Sequence, residues 1–171
     1  RVSVSLAFSD AATAKAIEPN VASPRRRLQT IKRLADAGIP VGVMLAPVIP
    51  GLNDNQIPEI LERAREAGAR SASMILLRLP EAVDAVFESR LRETLPLRAD
   101  RVLHQLEACR GGKRHTPSFG KRMTGSGARW RAIEQLFEKS VERLGFEGHE
   151  PMPEPSPFRR ASQPRQLALF A

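Results

Sequence analysis

Apolar and polar positions divide the chain into short unbroken apolar runs and longer stretches with apolar residues every three or four places. Val2 to Phe8 is nearly all apolar or small, as a strand covered on both faces of a parallel sheet requires. A connection from Asp10 to Asn20 then leads to Ser23-Pro24, a helix start with an N-cap serine and a proline in the first turn. Leu28, Ile31, Leu34 and Ala35 give that helix one apolar face, and Gly38 ends it. The pattern repeats. Val41 to Val48 predicts a second buried strand, Ile57, Ile60, Leu61 and Ala64 the inner face of a helix stopped by Gly68, and Ser73 to Leu77 a third strand. Strands separated by single helices imply right-handed crossovers and a parallel α/β sheet.

Past Pro80 the pattern turns helical, with Val83, Val86, Phe87 and Leu91 on one side. Pro96 breaks it, Val102, Leu103 and Leu106 resume it, and Gly111-Gly112 closes it. Lys113 to Arg129 is basic and glycine-rich and runs into a last amphipathic helix marked by Trp130, Ile133, Leu136, Phe137, Val141 and Leu144. Beyond Phe146 the prolines at 151, 153, 155, 157 and 164 point to an extended, disordered tail. The expected division is 1–80 for the βα units, 81–145 for a helical region and 146–171 for the tail.

With 171 residues, 42% of them hydrophobic, the chain is long enough for one core. It opens on Arg1-Val2-Ser3 with a strand already under way and no initiator Met, so it reads as a fragment. No apolar run approaches the roughly 18 residues that span a bilayer, so no membrane partner is expected. Cys109 is the single cysteine, which excludes a disulfide framework and a multi-thiolate metal site made by this chain alone, and points to a reducing, cytoplasmic setting. The formal charge of +8 favours polyanionic partners, nucleic acid among them, although a basic surface without that function fits equally well.

In α/β folds ligands gather at the carboxyl ends of the strands, which directs attention to Ser5–Asp10, Ala46–Asp54 and Met74–Pro80. Ala46-Pro47-Val48-Ile49-Pro50-Gly51-Leu52-Asn53-Asp54 is a stiff apolar loop ending in a helix-capping Asn-Asp. Such a loop can lay a flat wall against a purine, or serve as an ordinary connection stiffened by proline.

Taken together, Val2-Ser3-Val4-Ser5, Glu18-Pro19, Pro24 with Arg27-Leu28, Ala37 to Met44, Ala46 to Asp54 and Leu76 to Pro80 resemble the second half of radical S-adenosylmethionine proteins of the spore photoproduct lyase-like, or DNA repair photolyase, group. The resemblance continues through Arg110-Gly111-Gly112-Lys113 and Phe119 to Met123, to about Gly145. It implies the later part of a six-stranded partial (β/α) barrel, followed by a helical extension. It also implies an enzyme in which a 4Fe–4S cluster reductively cleaves S-adenosylmethionine to a 5′-deoxyadenosyl radical.

The family holds its cluster by a CxxxCxxC loop that this sequence does not contain, so the metal ligands would lie outside the chain and none within it. Ser5 falls where the family often places a hydroxyl near the cofactor's methionyl or ribose part. Val48 and Ile49 would form the adenine wall, and Met74, Ile75 and Leu76 would approach the adenine edge. Each position also reads as strand interior or plain core. Glu18, Arg27 and Arg78 are candidates for orienting the cofactor carboxylate or bracing one another, with a solvated helix-end charge the more ordinary reading of Arg27. Relatives tend to carry Glu-Pro-Arg-Ala where this chain has Glu18-Pro19-Asn20-Val21, which removes one arginine from that loop. No residue is assigned as catalytic.

Gly111-Gly112-Lys113-Arg114 and Gly120-Lys121-Arg122 lack the Ser or Thr and the spacing of a Walker loop. Lys113, Arg114, Lys121 and Arg122 remain candidates for touching a nucleic-acid backbone. The tail ends in Gln166-Leu167-Ala168-Leu169-Phe170, which resembles the peptide by which many bacterial DNA-processing proteins hang on the replication sliding clamp. A self-docking or idle terminus is its alternative. Three functions therefore stand: a radical enzyme, a non-catalytic adaptor binding DNA and a clamp, and a barrel enzyme for a phosphorylated metabolite.

Overall fold

In the computed structural model, residues 1–112 and 124–148 are described. Three strands, β1 (Val2–Ser5), β2 (Val41–Val48) and β3 (Ser71–Leu76), form a parallel sheet in the order β1-β2-β3. Six helices accompany them among the described residues: α1 (Ala11–Ile17), α2 (Pro24–Asp36), α3 (Ile57–Glu66), α4 (Glu81–Thr94), α5 (Pro96–Ala108) and α6 (Gly127–Arg143). The chain is therefore α/β, with each strand beside the next along the sequence.

The register sorts the side chains into rows. Val4, Val43 and Ala72 stand level, as do Leu45 and Met74, and their face is covered by α2 and α3. Ile31, Val41, Val43, Leu45, Ile60 and Leu61 are each at most 2% exposed in this layer. The alternate rows, Ser3–Gly42–Ser71 and Ser5–Met44–Ser73, lie on the opposite face because successive strand residues point to opposite sides. That face is small and hydroxyl-rich. Ser3 is exposed, Ser5, Met44, Ser73 and Ile75 are half-buried, and neither Met44 nor Ile75 belongs to a core cluster. Gly42 is required there: a Cβ would come within 2.5 Å of the Ser71 hydroxyl oxygen.

A second cluster closes the carboxyl ends of β1 and β2. Ala7 and Phe8, which follow β1, and Ile49 and Leu52, which follow β2, pack with Ala14 of α1, Leu91 of α4 and Ala99, Val102 and Leu103 of α5. The first cluster likewise takes in Leu106, Cys109, Trp130 and Ile133 from beyond residue 80, so one core runs through both regions.

Several expectations are corrected. The ladder of the first strand ends at Ser5 rather than Phe8, and the third strand spans Ser71–Leu76 rather than Ser73–Leu77. The connection from Asp10 to Asn20 contains α1, whose start is fixed by the Asp10 carboxylate accepting from the Thr13 amide at 2.6 Å. In α4, Leu91 is buried but Val83 and Val86 are 46% and 66% exposed. Asn53 and Asp54 make no helix-capping bond and instead brace the loop.

Candidate functional site

The free edge of the sheet meets the hydroxyl-lined face at Ser5. One Nη1 of Arg27, reaching from the first turns of α2, donates to the Ser5 hydroxyl at 2.6 Å and to the Ser5 carbonyl at 2.9 Å. Its Nε donates to the Ala22 carbonyl, and its Nη2 approaches a Glu18 carboxylate oxygen at 3.5 Å. The Arg27 side chain is only 16% exposed, so it is not the solvated helix-end charge expected from position. Ser5 and Glu18 are thus brought together by a residue that the sequence pattern undervalued. The available signal was its place, on the border of α2 beside the stripe of buried Pro24 and Ile31 and half-buried Leu28.

This arrangement has defined capacity. A guanidinium has five N–H donors, and here only the Nη2 pair is weakly committed. The Glu18 carboxylate, partly exposed beside it, keeps lone pairs for a hydroxyl or ammonium group. An anionic group arriving at Nη2 would compete with Glu18, while a cationic or hydroxylated one would add to it.

The adenine-side candidates separate. Val48 is 2% exposed and Ile49 is 0%, each sealed in a core cluster. Leu76 is likewise 0% exposed, and Met74 lies with it on the helix-covered face. Ile75 alternates with Met74 and faces the hydroxyl-lined side. Arg78 is exposed just past β3 and has no ion pair among the described residues. Lys113, Arg114, Lys121 and Arg122, and the clamp-like Gln166, Leu167, Leu169 and Phe170, lie outside the described residues.

Beneath the strand ends, side chains satisfy the loop backbone. The Asn53 carboxamide oxygen accepts from the Ile49 amide at 2.6 Å, and its nitrogen donates to the Ala7 and Pro47 carbonyls at 2.7 and 2.9 Å. Asp54 accepts from the Gly51 amide and pairs with Arg129 of α6. Around the first of these ties, Gln56 donates to Asp10 and accepts from Ser9, and Arg63 donates to the Ser9 carbonyl. Burial pushes the Asp10 carboxyl up, but hydrogen bonds from Thr13, Gln56 and Ala12 outweigh it and hold the carboxyl below its ordinary range.

Cys109 is fully buried and burial pushes its thiol up, with Arg129 and Arg110 pulling the other way and Asp54 adding to the rise. It is therefore a protonated core residue. Among the described residues no group of three His, Cys, Asp or Glu side chains could hold a metal ion. No helix among them is long and apolar enough to cross a membrane. Comparison with family models, with curated proteins and with solved structures gives no match.

Proposed function

We propose that this chain is one wall of a radical S-adenosylmethionine enzyme of the spore photoproduct lyase-like group, acting on a nucleic-acid substrate. The observation that carries the proposal is the Glu18–Arg27–Ser5 constellation, set at the end of β1 on the margin of a hydroxyl-lined sheet face. Polar termini of a cofactor of this class, a carboxylate, an ammonium group and ribose hydroxyls, match what that constellation can accept and donate. The sequence resemblance across Ala37 to Asp54 supports the same reading.

The two parts of the cofactor set fit differently. The described residues do not fit an iron–sulfur cluster, since the one thiol is buried and protonated and no other ligand group surrounds it. A 4Fe–4S cluster, when bound by cysteines from outside these 171 residues, supplies the electron for homolysis of the cofactor. The residues that would face the cofactor are Ser5, Arg27 and Glu18, with Met44, Ser73 and Ile75 on the open face. Val48 and Ile49, sealed in the core, support the loop from behind rather than stacking on a ring in this arrangement.

Anaerobic reconstitution of the gene product with iron and sulfide tests the reading. A visible-absorbing cluster and release of 5′-deoxyadenosine from S-adenosylmethionine are expected. A colourless product, inert toward S-adenosylmethionine, overturns it.

A further inference from the structure

We infer that the outward face of α2 is a docking surface for a nucleic-acid backbone, on the side of the sheet away from the Ser5 site and independent of the cofactor reading. Arg25, Arg26, Gln29, Lys32, Arg33 and Asp36 are all exposed and follow one another at helical spacing. Only Lys32 is balanced within the stripe, by Asp36 at 3.2 Å. Arg25, Arg26 and Arg33 have no ion pair among the described residues. From the first of these to the last is eight residues, about 12 Å of helix. A single nucleic-acid strand presents one phosphate per about 3.4 Å of axis, so three phosphates fall within that reach.

The relief suits a strand as well. A shallow furrow runs between α2 and α3, with Arg25, Gln29 and Lys32 on one bank and Arg63 and Glu66 on the other. Arg63 is engaged by Glu59 and by the Ser9 carbonyl, which leaves Arg25 as the positive charge without an ion pair in this furrow, while Arg26 and Arg33 line a second hollow that shares Gln29 and Lys32 with it. Guanidinium forks match phosphate oxygens in pairs, and Gln29 can add a neutral hydrogen bond. An anionic membrane is the poorer occupant. A helix that lies in a bilayer surface inserts an apolar face, whereas the apolar side of α2 is already spent: Ile31 is 0% exposed, and Leu28, Leu34 and Ala35 pack on the same core.

The test is anisotropy of a labelled single-stranded and a labelled duplex oligonucleotide, titrated with the 171-residue chain at several salt concentrations. The triple variant Arg25→Gln, Arg26→Gln, Arg33→Gln is compared with Arg98→Gln, Arg101→Gln, Arg131→Gln, which removes the same charge from exposed positions elsewhere. Circular dichroism confirms that both fold. The α2 variant should bind at least about tenfold more weakly and lose about 2 to 3 units of slope in log K against log salt. The control set should lose less than one unit. Equal losses in the two sets overturn the inference, as does an unchanged slope in the α2 variant. So does a loss confined to a Lys113→Ala, Arg114→Ala, Lys121→Ala, Arg122→Ala variant. Binding of the α2 face to phosphatidylserine vesicles, with oligonucleotide binding unaltered by the α2 variant, assigns the face to a membrane and also overturns it.

Discussion

Replacing Asn53 with alanine removes three hydrogen bonds, one that ties the loop after β2 to Ala7 at the end of β1 and two, to Ile49 and Pro47, that brace the loop on β2 itself. Asn53 is 2% exposed, so the Ile49 amide and the Ala7 and Pro47 carbonyls have little access to substitute water. Three net hydrogen bonds contribute about 3 kcal/mol, and the unpaired buried partners raise the loss toward about 5 kcal/mol. Against a total stability of about 5–15 kcal/mol for a domain, that is a large fraction. With a urea m value of about 2 kcal/mol/M, the midpoint should fall by about 2 M. Asn55→Ala, at an exposed position two residues on, should stay within about 0.5 kcal/mol. Asn53→Asp is the sharper probe. It would set a carboxylate oxygen against two carbonyls, so the folded state would raise the carboxyl's pKa above its unfolded value. The penalty would be present at neutral pH and relieved as pH falls, opposite to the usual acid loss of stability. A midpoint shift below about 0.5 M for Asn53→Ala, or no acid relief in Asn53→Asp, refutes the assignment of these bonds.

Three further outcomes follow from the same geometry. Gly42→Ala should cost about 1–3 kcal/mol through overpacking on Ser71, and adding Ser71→Ala should recover part of it in a double-mutant cycle, because the nearest clash is with the serine hydroxyl oxygen at 2.5 Å. Additive losses would place the strain elsewhere. Asp10→Ala should cost about 1 kcal/mol at neutral pH as a lost N-cap. Because the folded state holds the Asp10 carboxyl below its ordinary 3.8, its contribution is complete above that value and lost as pH falls through the lower folded one. The parent's acid limb should therefore be steeper than the variant's in urea titrations below pH 4, and parallel limbs would contradict this. Cys109, fully buried with its thiol raised, should react with a thiol reagent in native buffer at least about a hundredfold more slowly than in urea. Rapid native labelling would place the thiol at the surface.

Long elements with strong periodicity were readable in advance. β2 begins and ends where its apolar run does, and Ile57, Ile60, Leu61 and Ala64 are all buried in α3 as their spacing requires. α1 escaped notice because its seven residues are mostly alanine, of which only Ala14, with Ile17, packs into the second cluster, so no helical period stands out. Its signal was local, in Asp10 three residues before Thr13. Val83 and Val86 misled in the opposite sense, since helical spacing marks a face without saying whether a neighbour covers it. At the candidate site, Ser5 and Glu18 were legible from place and resemblance, but their connection was not. A bond between residues 5 and 27 depends on how α2 crosses the sheet, which periodicity does not encode. Val48 and Ile49 were ambiguous for a related reason, because apolar residues after a strand serve a ring or a core equally well. Here α1, α4 and α5 supply the core.

That roof over the strand ends relocates the place where a ligand could meet this sheet. With Ala7, Phe8, Ile49 and Leu52 packed under α1, α4 and α5, what the described residues leave accessible is the hydroxyl-lined face and the outer edge of β1. The parallel ladder uses the Val2 and Leu6 amides toward β2, so the backbone groups of Ser3 and Ser5 turn to the open edge. Arg27 takes the Ser5 carbonyl and hydroxyl, closing that edge at its carboxyl end while Ser3 stays exposed. Any strand that adds beside β1 must therefore stop short of Ser5 or draw Arg27 away from it.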